Sequence, residues 1–508
     1  MKDALSGPEA PHWQAAADEE YNTLVAMSAW ELMTVPAGRK AIPCKWVFKR
    51  KLLADGSIER YKARLVIKGF YQRAGIDFSA VFAPVVRAST VRLFFSIVAS
   101  LDLVCHAIDI KNAFIQGALE EQIFMQQPAG YEDNTGRACL LNKSLYGLKQ
   151  APRVWNKTLS AYIMFLGFVQ NKSDGALFML FTEQLGFVLI LCYVDDIQIA
   201  AMKLSSVQSI KEAILSKFPG KDLGESKFFL QMSIQRNREE KTIYLKQQRH
   251  IEKLIDQHNL KDSWPVSIPM IVNVYKDPPG QTVTDAAAIS QYKSIVGALL
   301  HIANNTRPDI AFSVSYLARS TAQPTCSNFA RLNDVLLYLN GTASYSLRLG
   351  GSECALHGFC DSDWAGCVNT RKSTTGFIVK CGMGSISWKS SKQPTVSRSS
   401  SEAEYIAAGE IAKEVQYFFD LAPQVGLAST CITVGIDNRA AKSLIEDPIS
   451  AARTKHIDIV FHHVREKVKR QQMRFVPVPT ADNPADIFTK PLSKQLFEKH
   501  RHTLGVVP

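Results

Sequence analysis

Two neighbouring carboxylates, Asp195 and Asp196, stand between β-rich apolar runs at residues 186–193 and 197–201. Those runs predict a hairpin that holds the pair at or near its turn. Adjacent like charges repel unless a cation lies between them, so a fixed Asp-Asp pair invites Mg²⁺, although the same dipeptide also serves as a solvated turn. A third acid is available in His106-Ala107-Ile108-Asp109-Ile110-Lys111. There Ile108 and Ile110 flank Asp109 as strand neighbours do, which puts its carboxylate on the opposite face. In the last third, Asp361 and Asp437 end expected strands, Glu402 follows a Ser-rich helix start with Glu404 two residues on, and Asp486 lies in a final turn. Asp363 lies two residues after Asp361 on the same strand face.

The elements that must position these acids can be read along the chain. Residues 1–35 are polar and helix-prone, with Trp13, Tyr21, Leu24 and Trp30 as anchors, and read as a helical leader packed on the first domain. Between Arg39 and Arg73 eleven Lys or Arg face two acids, Asp55 and Glu59, with Trp46, Phe48, Tyr61, Phe70 and Tyr71 interleaved. Alternation over 45–52 and 60–67, with Asp55-Gly56 between, predicts a basic two-stranded ribbon suited to phosphate contact. A helix is expected over 88–101, another opened by Pro152 and running to 166, and a third over 207–218, with a strand at 228–234. Prolines gather at 264–285, a linker or domain edge, before three helices in 286–345. Beyond these, strands near 355–361, 376–380 and 385–388 read as a meander. A helix from Ser399 to about Leu421 with a Ser-rich start, a strand at 432–438, a basic helix at 455–470 and a strand at 474–478 complete the pattern.

Composition bounds the answer. The 508 residues exceed one core, and three domains are expected; 46% apolar and 21% charged residues are those of a folded protein. A net charge of +12 suits a polyanionic partner. The ten cysteines show no C-x₂-C spacing, which argues against zinc and for buried thiols in a reducing compartment; His456 and His462 read as packing or substrate contacts. The opening Met1-Lys2-Asp3 lacks the apolar core of a secretory signal, and the longest apolar run is the hairpin itself, so an intracellular soluble protein without a membrane partner is expected.

The chain resembles the polymerase of copia-type retrotransposons. The resemblance rests on Cys44-Lys45-Trp46-Val47-Phe48-Lys49, Arg60-Tyr61-Lys62-Ala63-Arg64-Leu65-Val66, Phe82-Ala83-Pro84-Val85, Ser144-Leu145-Tyr146-Gly147-Leu148-Lys149-Gln150-Ala151-Pro152-Arg153 and Tyr193-Val194-Asp195-Asp196. It continues through Asp361-Ser362-Asp363-Trp364-Ala365-Gly366, Ser401-Glu402-Ala403-Glu404-Tyr405, Lys455-His456-Ile457-Asp458 and Ala485-Asp486-Ile487-Phe488-Thr489-Lys490, which are similar to that family's ribonuclease H domain.

The resemblance implies an α+β fold: a right-hand polymerase of fingers and palm (36–262) after the leader (1–35), a linker and helical thumb or connection (263–350), and a ribonuclease H-like α/β domain (351–508). It implies an RNA-directed DNA polymerase adding dNTPs to a primer, with ribonuclease H cleavage of RNA–DNA hybrids. Asp109, Asp195 and Asp196 would hold two Mg²⁺ (or Mn²⁺), and Asp361, Glu402, Asp437 and Asp486 two more. Phe114 would exclude the sugar 2′-hydroxyl. Tyr146 and Gly147 would line the base and template side, and Lys62 and Arg64 would meet the triphosphate. Phe229, Leu230, Gln231 and Met232 would grip the primer, with Gln231 where a small residue is expected; Gln198 is a polar intrusion after the hairpin. The implied partners are an RNA template, a DNA primer, the RNA–DNA hybrid, dNTPs and other parts of a transposon polyprotein, in a cytoplasmic particle or the nucleus. The competing classes are a non-enzymatic nucleic-acid-binding relic and an interaction scaffold, and the presence of all seven acids favours the enzyme.

Overall fold

The computed structural model describes residues 3–52, 57–276, 280–427, 431–446 and 458–508. At its centre lies a six-stranded sheet in the order Gly220–Glu225, Val104–Ile110, Asp196–Ala201, Gly186–Tyr193, Leu177–Thr182 and Val169–Gln170, every neighbour antiparallel. Its middle strands are apolar on both faces because both are covered. Val188 and Ile190 pack with Trp155, Leu159 and Ile163 of helix Ala151–Phe165 and with Val207, Ile210 and Ile214 of helix Leu204–Lys217. The alternate residues Leu189 and Leu191 join the core of helix Ala88–Ser100 instead, as a period of two requires.

Beside this sheet, Cys44–Leu52 pairs with Ile58–Ile67 as the expected ribbon. Its Asp55-Gly56 turn lies outside the described residues. The leader is only partly helical. Helix Ala10–Ala26 packs on the second ribbon strand, but Trp30–Met33 is a strand paired with Ala138–Leu141. That edge would otherwise expose unpaired backbone groups, and the leader satisfies them.

A third sheet runs Phe228–Phe229, Met232–Asn237, Thr242–Lys246, Ser346–Gly350 and Val506–Val507. The single strand expected at 228–234 is broken by a two-residue turn, with φ of 48° at Leu230 and 65° at Gln231. This sheet draws strands from either side of the expected divisions at 262 and 350, and from the chain's last residues. One buried cluster runs from Val86 to Val506, so those divisions do not coincide with a gap in packing. The connecting helices Ala286–Asn305, Ala311–Ala318 and Cys326–Gly341 follow expectation. A buried Arg307–Asp309 ion pair at 2.8 Å ties them together, with the Tyr338 hydroxyl donating to Asp309 at 2.6 Å.

The last sheet has the order Gly384–Lys392, Thr374–Cys381, Leu356–Ser362, Ile432–Ile436 and Met473–Pro477; the first three strands are antiparallel and the last two parallel. Helix Ser400–Leu421 crosses it, and Asp458–Lys469 packs on that helix. Residues 455–457 of the expected basic helix, His456 among them, fall outside the described residues. One cysteine expectation is corrected: Cys354 and Cys381 form a disulfide. The register that sets Leu356 opposite Cys381 brings the two cysteine Cα atoms to 5.1 Å, within bridging reach.

Helix Ala88–Ser100 joins this last third to the rest. Its buried Arg92 donates to the Ile386 and Asn304 carbonyls, both at 2.7 Å, and lies 3.9 Å from the Trp388 ring centroid. Thr90 contacts the Tyr417 hydroxyl at 2.5 Å and donates to Asp174 at 2.7 Å. Among the described residues no helix is long and apolar enough to cross a membrane.

A left-handed backbone conformation costs a non-glycine residue about 1–2 kcal/mol. Gln231→Gly should therefore leave the fold intact and raise stability by about 1 kcal/mol, read as a higher denaturation midpoint in urea. A lower midpoint would show that the Gln231 side chain holds the turn.

Candidate active sites

The sheet register gathers the first three acids. Asp196 stands directly opposite Asp109 on one neighbouring strand and opposite Tyr193 on the other, so Val194 and Asp195 form the hairpin turn. Val194 has φ 56°, a costly conformation for a β-branched residue. Two hydrogen bonds hold the turn: Trp155 Nε1 donates to the Val194 carbonyl at 2.6 Å, and the Ile110 N–H to the Asp195 carbonyl at 2.9 Å. Burial raises the Asp109 pKa, and Asp195 pushes it further. Burial, then Asp195, then Asp109 push Asp196 up to about 6. Asp109 and Asp196, both held back from ionising, suit a cation beside them, although the oxygens of this triad do not all close to within 4.8 Å of one another as those of the last third do.

Above Asp109 and Asp195 opens a cavity of about 590 Å³. Lys51, Arg60, Lys62 and Arg64 of the ribbon, with Lys221, give it a cationic wall. Lys221 is opposite Asp109 in the register, on the strand beyond. Tyr146 lines the cavity, with the Arg64 guanidinium 5.0 Å from its ring centroid. Phe114 lies edge-on to Tyr146 at 5.0 Å and supports that wall from behind. Gly147 has φ 96°, and a Cβ there would strike the Ile67 carbonyl oxygen. Its lack of a side chain lets this loop join the ribbon, where the Ile67 N–H donates to the Tyr146 carbonyl at 2.9 Å. Of the four residues at the second hairpin, Phe229 and Met232 are buried, Leu230 is half-buried and Gln231 is exposed. Gln198 is buried beside Cys105 within the sheet.

In the last third, carboxylate oxygens of Asp361, Asp437 and Asp486 lie within 4.8 Å of one another. The close group holds only these three aspartates, and on the crossing helix it is Glu404 rather than Glu402 that neighbours Asp361 and Asp437. Glu404 accepts from the Ser362 N–H at 3.2 Å, and its Oε2 is buried with no hydrogen-bond partner. Burial, then Asp361 and Asp437, raise its pKa well above the ordinary value. Glu402 is turned to its own helix start: its N–H donates to Ser399 Oγ and its carboxylate accepts from the Arg398 N–H at 2.8 Å. The two are about 200° apart around the helix, so only one can face the cluster. The Ser399-x-x-Glu402 spacing is itself a capping pattern, and it is the signal that separates them.

Burial and Asp486 push Asp361 up to about 8, and the Thr489 hydroxyl donates to it. Lys490 reaches Asp486 at 3.0 Å, a neutralising contact not anticipated from the sequence. Asp363 is held by the Thr374 N–H and lies near Arg319, outside the cluster.

The description "Reverse transcriptase (RNA-dependent DNA polymerase)" belongs to a family profile that matches residues 27–272. The chain is 36% identical over its whole length to a retrovirus-related Pol polyprotein from transposon TNT 1-94 of Nicotiana tabacum. It is also 36% identical, over 99% of its length, to that from transposon RE1 of Arabidopsis thaliana. It spans 39% and 34% of those two polyproteins. A Ty5-1 transposon protein of Saccharomyces cerevisiae is 30% identical and covered over 100% of its length, by 61% of this chain. A foamy viral protease–reverse transcriptase solved with double-stranded DNA has a similar fold, with TM-score 0.52 and 13% identity over 92% of this chain and 70% of that one.

Because burial and mutual repulsion raise the folded-state pKa of Asp196 from the ordinary 3.8 to about 6, the folded chain binds more protons than the unfolded one between those values. The contribution of this carboxylate to stability is then greatest below pH about 4 and declines up to about 6, the reverse of a salt-bridged acid. In EDTA at pH 8, Asp196→Asn should melt above wild type, and the difference should vanish near pH 4. A variant that melts lower at pH 8 would contradict the repulsion.

Proposed function

Since the chain belongs to the copia-type retrotransposon reverse-transcriptase family, we propose that it copies RNA into DNA and cleaves the RNA of the resulting hybrid. The observation that carries the reading is the register of Asp109 against Asp196, with Asp195 at the turn, beneath a cavity walled by lysine and arginine. The oxygen-only donor set and the mutual repulsion of these acids fit hard divalent cations. Asp109, Asp195 and Asp196 would hold two of them, Mg²⁺ or Mn²⁺. Bound there, such ions supply charge neutralisation to the triphosphate and a lowered pKa to the primer 3′-hydroxyl.

The chain's own residues do the rest. Lys62 and Arg64 offer the triphosphate donors that need no proton transfer, with Lys221 on the opposite wall. Tyr146 presents a flat face to the base, braced by Phe114, which does not itself line the cavity and would act on a 2′-hydroxyl only through Tyr146. The hairpin of Phe229, Leu230, Gln231 and Met232 offers the primer strand a turn rooted in the core by its buried first and last residues. The basic ribbon contacts template phosphates.

In the last third, Asp361, Glu404, Asp437 and Asp486 would form a second divalent-cation site, acting on hybrid recognised through 2′-hydroxyls in its wide minor groove. The polyprotein relatives support a chain that works with further transposon proteins, inside the cell.

On a primed RNA template, Asp109→Asn, Asp195→Asn or Asp196→Asn should each cut primer extension about 100-fold or more, leaving hybrid cleavage intact. Extension at the wild-type rate would overturn the assignment. Glu404→Gln should abolish cleavage of labelled RNA in a hybrid, whereas Glu402→Gln should keep it; the reverse outcome would restore Glu402 to the site.

A further inference from the structure

Three residues beyond Asp361, the Trp364 side chain is 57% exposed. One exposed ring is ordinary on a protein surface. This one is held: its Nε1 donates to the Ser397 carbonyl at 3.3 Å, which pins the indole to a neighbouring loop. Side chains and backbone sew the two loops together. The Ala365 N–H donates to Ser373 Oγ at 3.0 Å, and the Gln393 N–H to the Ser373 carbonyl at 2.7 Å. Ser397 Oγ donates to Gln393 Oε1 at 2.9 Å, and Lys372 Nζ to the Pro394 carbonyl at 2.6 Å.

Gln393, only 2% exposed, also ties this platform to the clustered acids. Its Nε2 donates to the Ala403 carbonyl at 2.9 Å and to Thr375 Oγ1 at 3.1 Å. Ala403 immediately precedes Glu404, and Thr375 stands opposite Ser362, the residue after Asp361. The ring is thus braced against both elements that bring those acids in. The charge of the platform is one-sided. Residues 363–373 and 392–399 carry four cations, Arg371, Lys372, Lys392 and Arg398, against one acid, Asp363, which accepts from the Thr374 N–H. Arg371 and Arg398 are exposed. A fixed aromatic face among cations suits a polyanion that presents sugars together with phosphates.

We propose that Trp364 is the residue by which this site tells an RNA–DNA hybrid from duplex DNA: its ring lies on sugars in the hybrid's minor groove, while Arg371 and Arg398 take nearby phosphates. The inference rests on the cleavage reading and deepens it. Bases in a hybrid are stacked on one another, so a ring reaches only the groove, where sugars and 2′-hydroxyls line a wide, shallow surface. The minor groove of B-form DNA is about 6 Å wide, too narrow for an indole to lie on its sugars. Trp364 carries no charge and holds no ion, so its removal should weaken binding and leave the cleavage step alone.

The test is steady-state cleavage of labelled RNA in a hybrid by the chain, with duplex DNA as competitor. Trp364→Ala should raise the hybrid KM roughly ten-fold with kcat nearly unchanged, while the inhibition constant of duplex DNA stays where it was. Trp364→Phe keeps an aromatic face and loses only the Ser397 bond, so it should recover most of the affinity. Arg371→Gln and Arg398→Gln should instead weaken hybrid and duplex DNA alike, each lowering the slope of log KM against log salt by about one. Primer extension at saturating template should match wild type in both Trp364 variants. An unchanged hybrid KM in Trp364→Ala overturns the inference, and so does an equal loss for hybrid and duplex DNA. Loss of extension together with cleavage in both Trp364 variants also overturns it, since the ring would then serve the fold. A wild-type chain that cleaves no hybrid overturns the cleavage reading itself.

Discussion

The structure depends on holding together three carboxylates that repel one another. Asp109 and Asp196 face each other across adjacent strands, and Asp195 occupies the turn beside them. Left free, such groups would separate or protonate. The backbone ladder prevents separation, because moving either aspartate means breaking a register of six residue pairs, Asp196 with Asp109 through Ala201 with Val104. The sheet resists slipping in turn because both its faces are packed, and a one-residue shift would reverse every buried side chain. Hydrophobic burial thus offsets an electrostatic cost concentrated at one strand end.

The same logic recurs at the far end of the chain, with other elements. Asp361 lies near the end of an inner strand, Asp437 follows the parallel strand beside it, Glu404 comes from the crossing helix and Asp486 from a short helical turn. Lys490 and Thr489 supply partial compensation there that the first site obtains from the ribbon cations across its cavity. The two sites share one frame. Arg92 and the Thr90, Asp174 and Tyr417 contacts join helix Ala88–Ser100 to the last third, and the third sheet is closed by the chain's final residues.

Local signals were legible where chemistry and periodicity coincide. The Tyr193-Val194-Asp195-Asp196 hairpin, the Asp109 strand, the basic ribbon and the three connecting helices can all be read from residue order, because each is a short-range pattern. What escaped depends on distant partners. The strand at Trp30–Met33 exists because Ala138–Leu141 offers an edge. The Cys354–Cys381 bridge follows from a strand register, not from spacing. The choice of Glu404 over Glu402 turns on which helix face meets the sheet; the capping pattern from Ser399 carried part of that information and competed with the catalytic reading of the same motif. The place of Lys221 in the cavity wall required the fold itself. It arrives there through the pairing of its strand with that of Asp109.

The most direct measurement is of ion binding. Manganese titrated into the chain and followed by electron paramagnetic resonance should reveal two separable classes of bound ion, one removed by Asp195→Asn and the other by Asp361→Asn. Manganese binding that neither substitution alters would mean that the gathered carboxylates hold no metal, and the interpretation of both sites would be wrong.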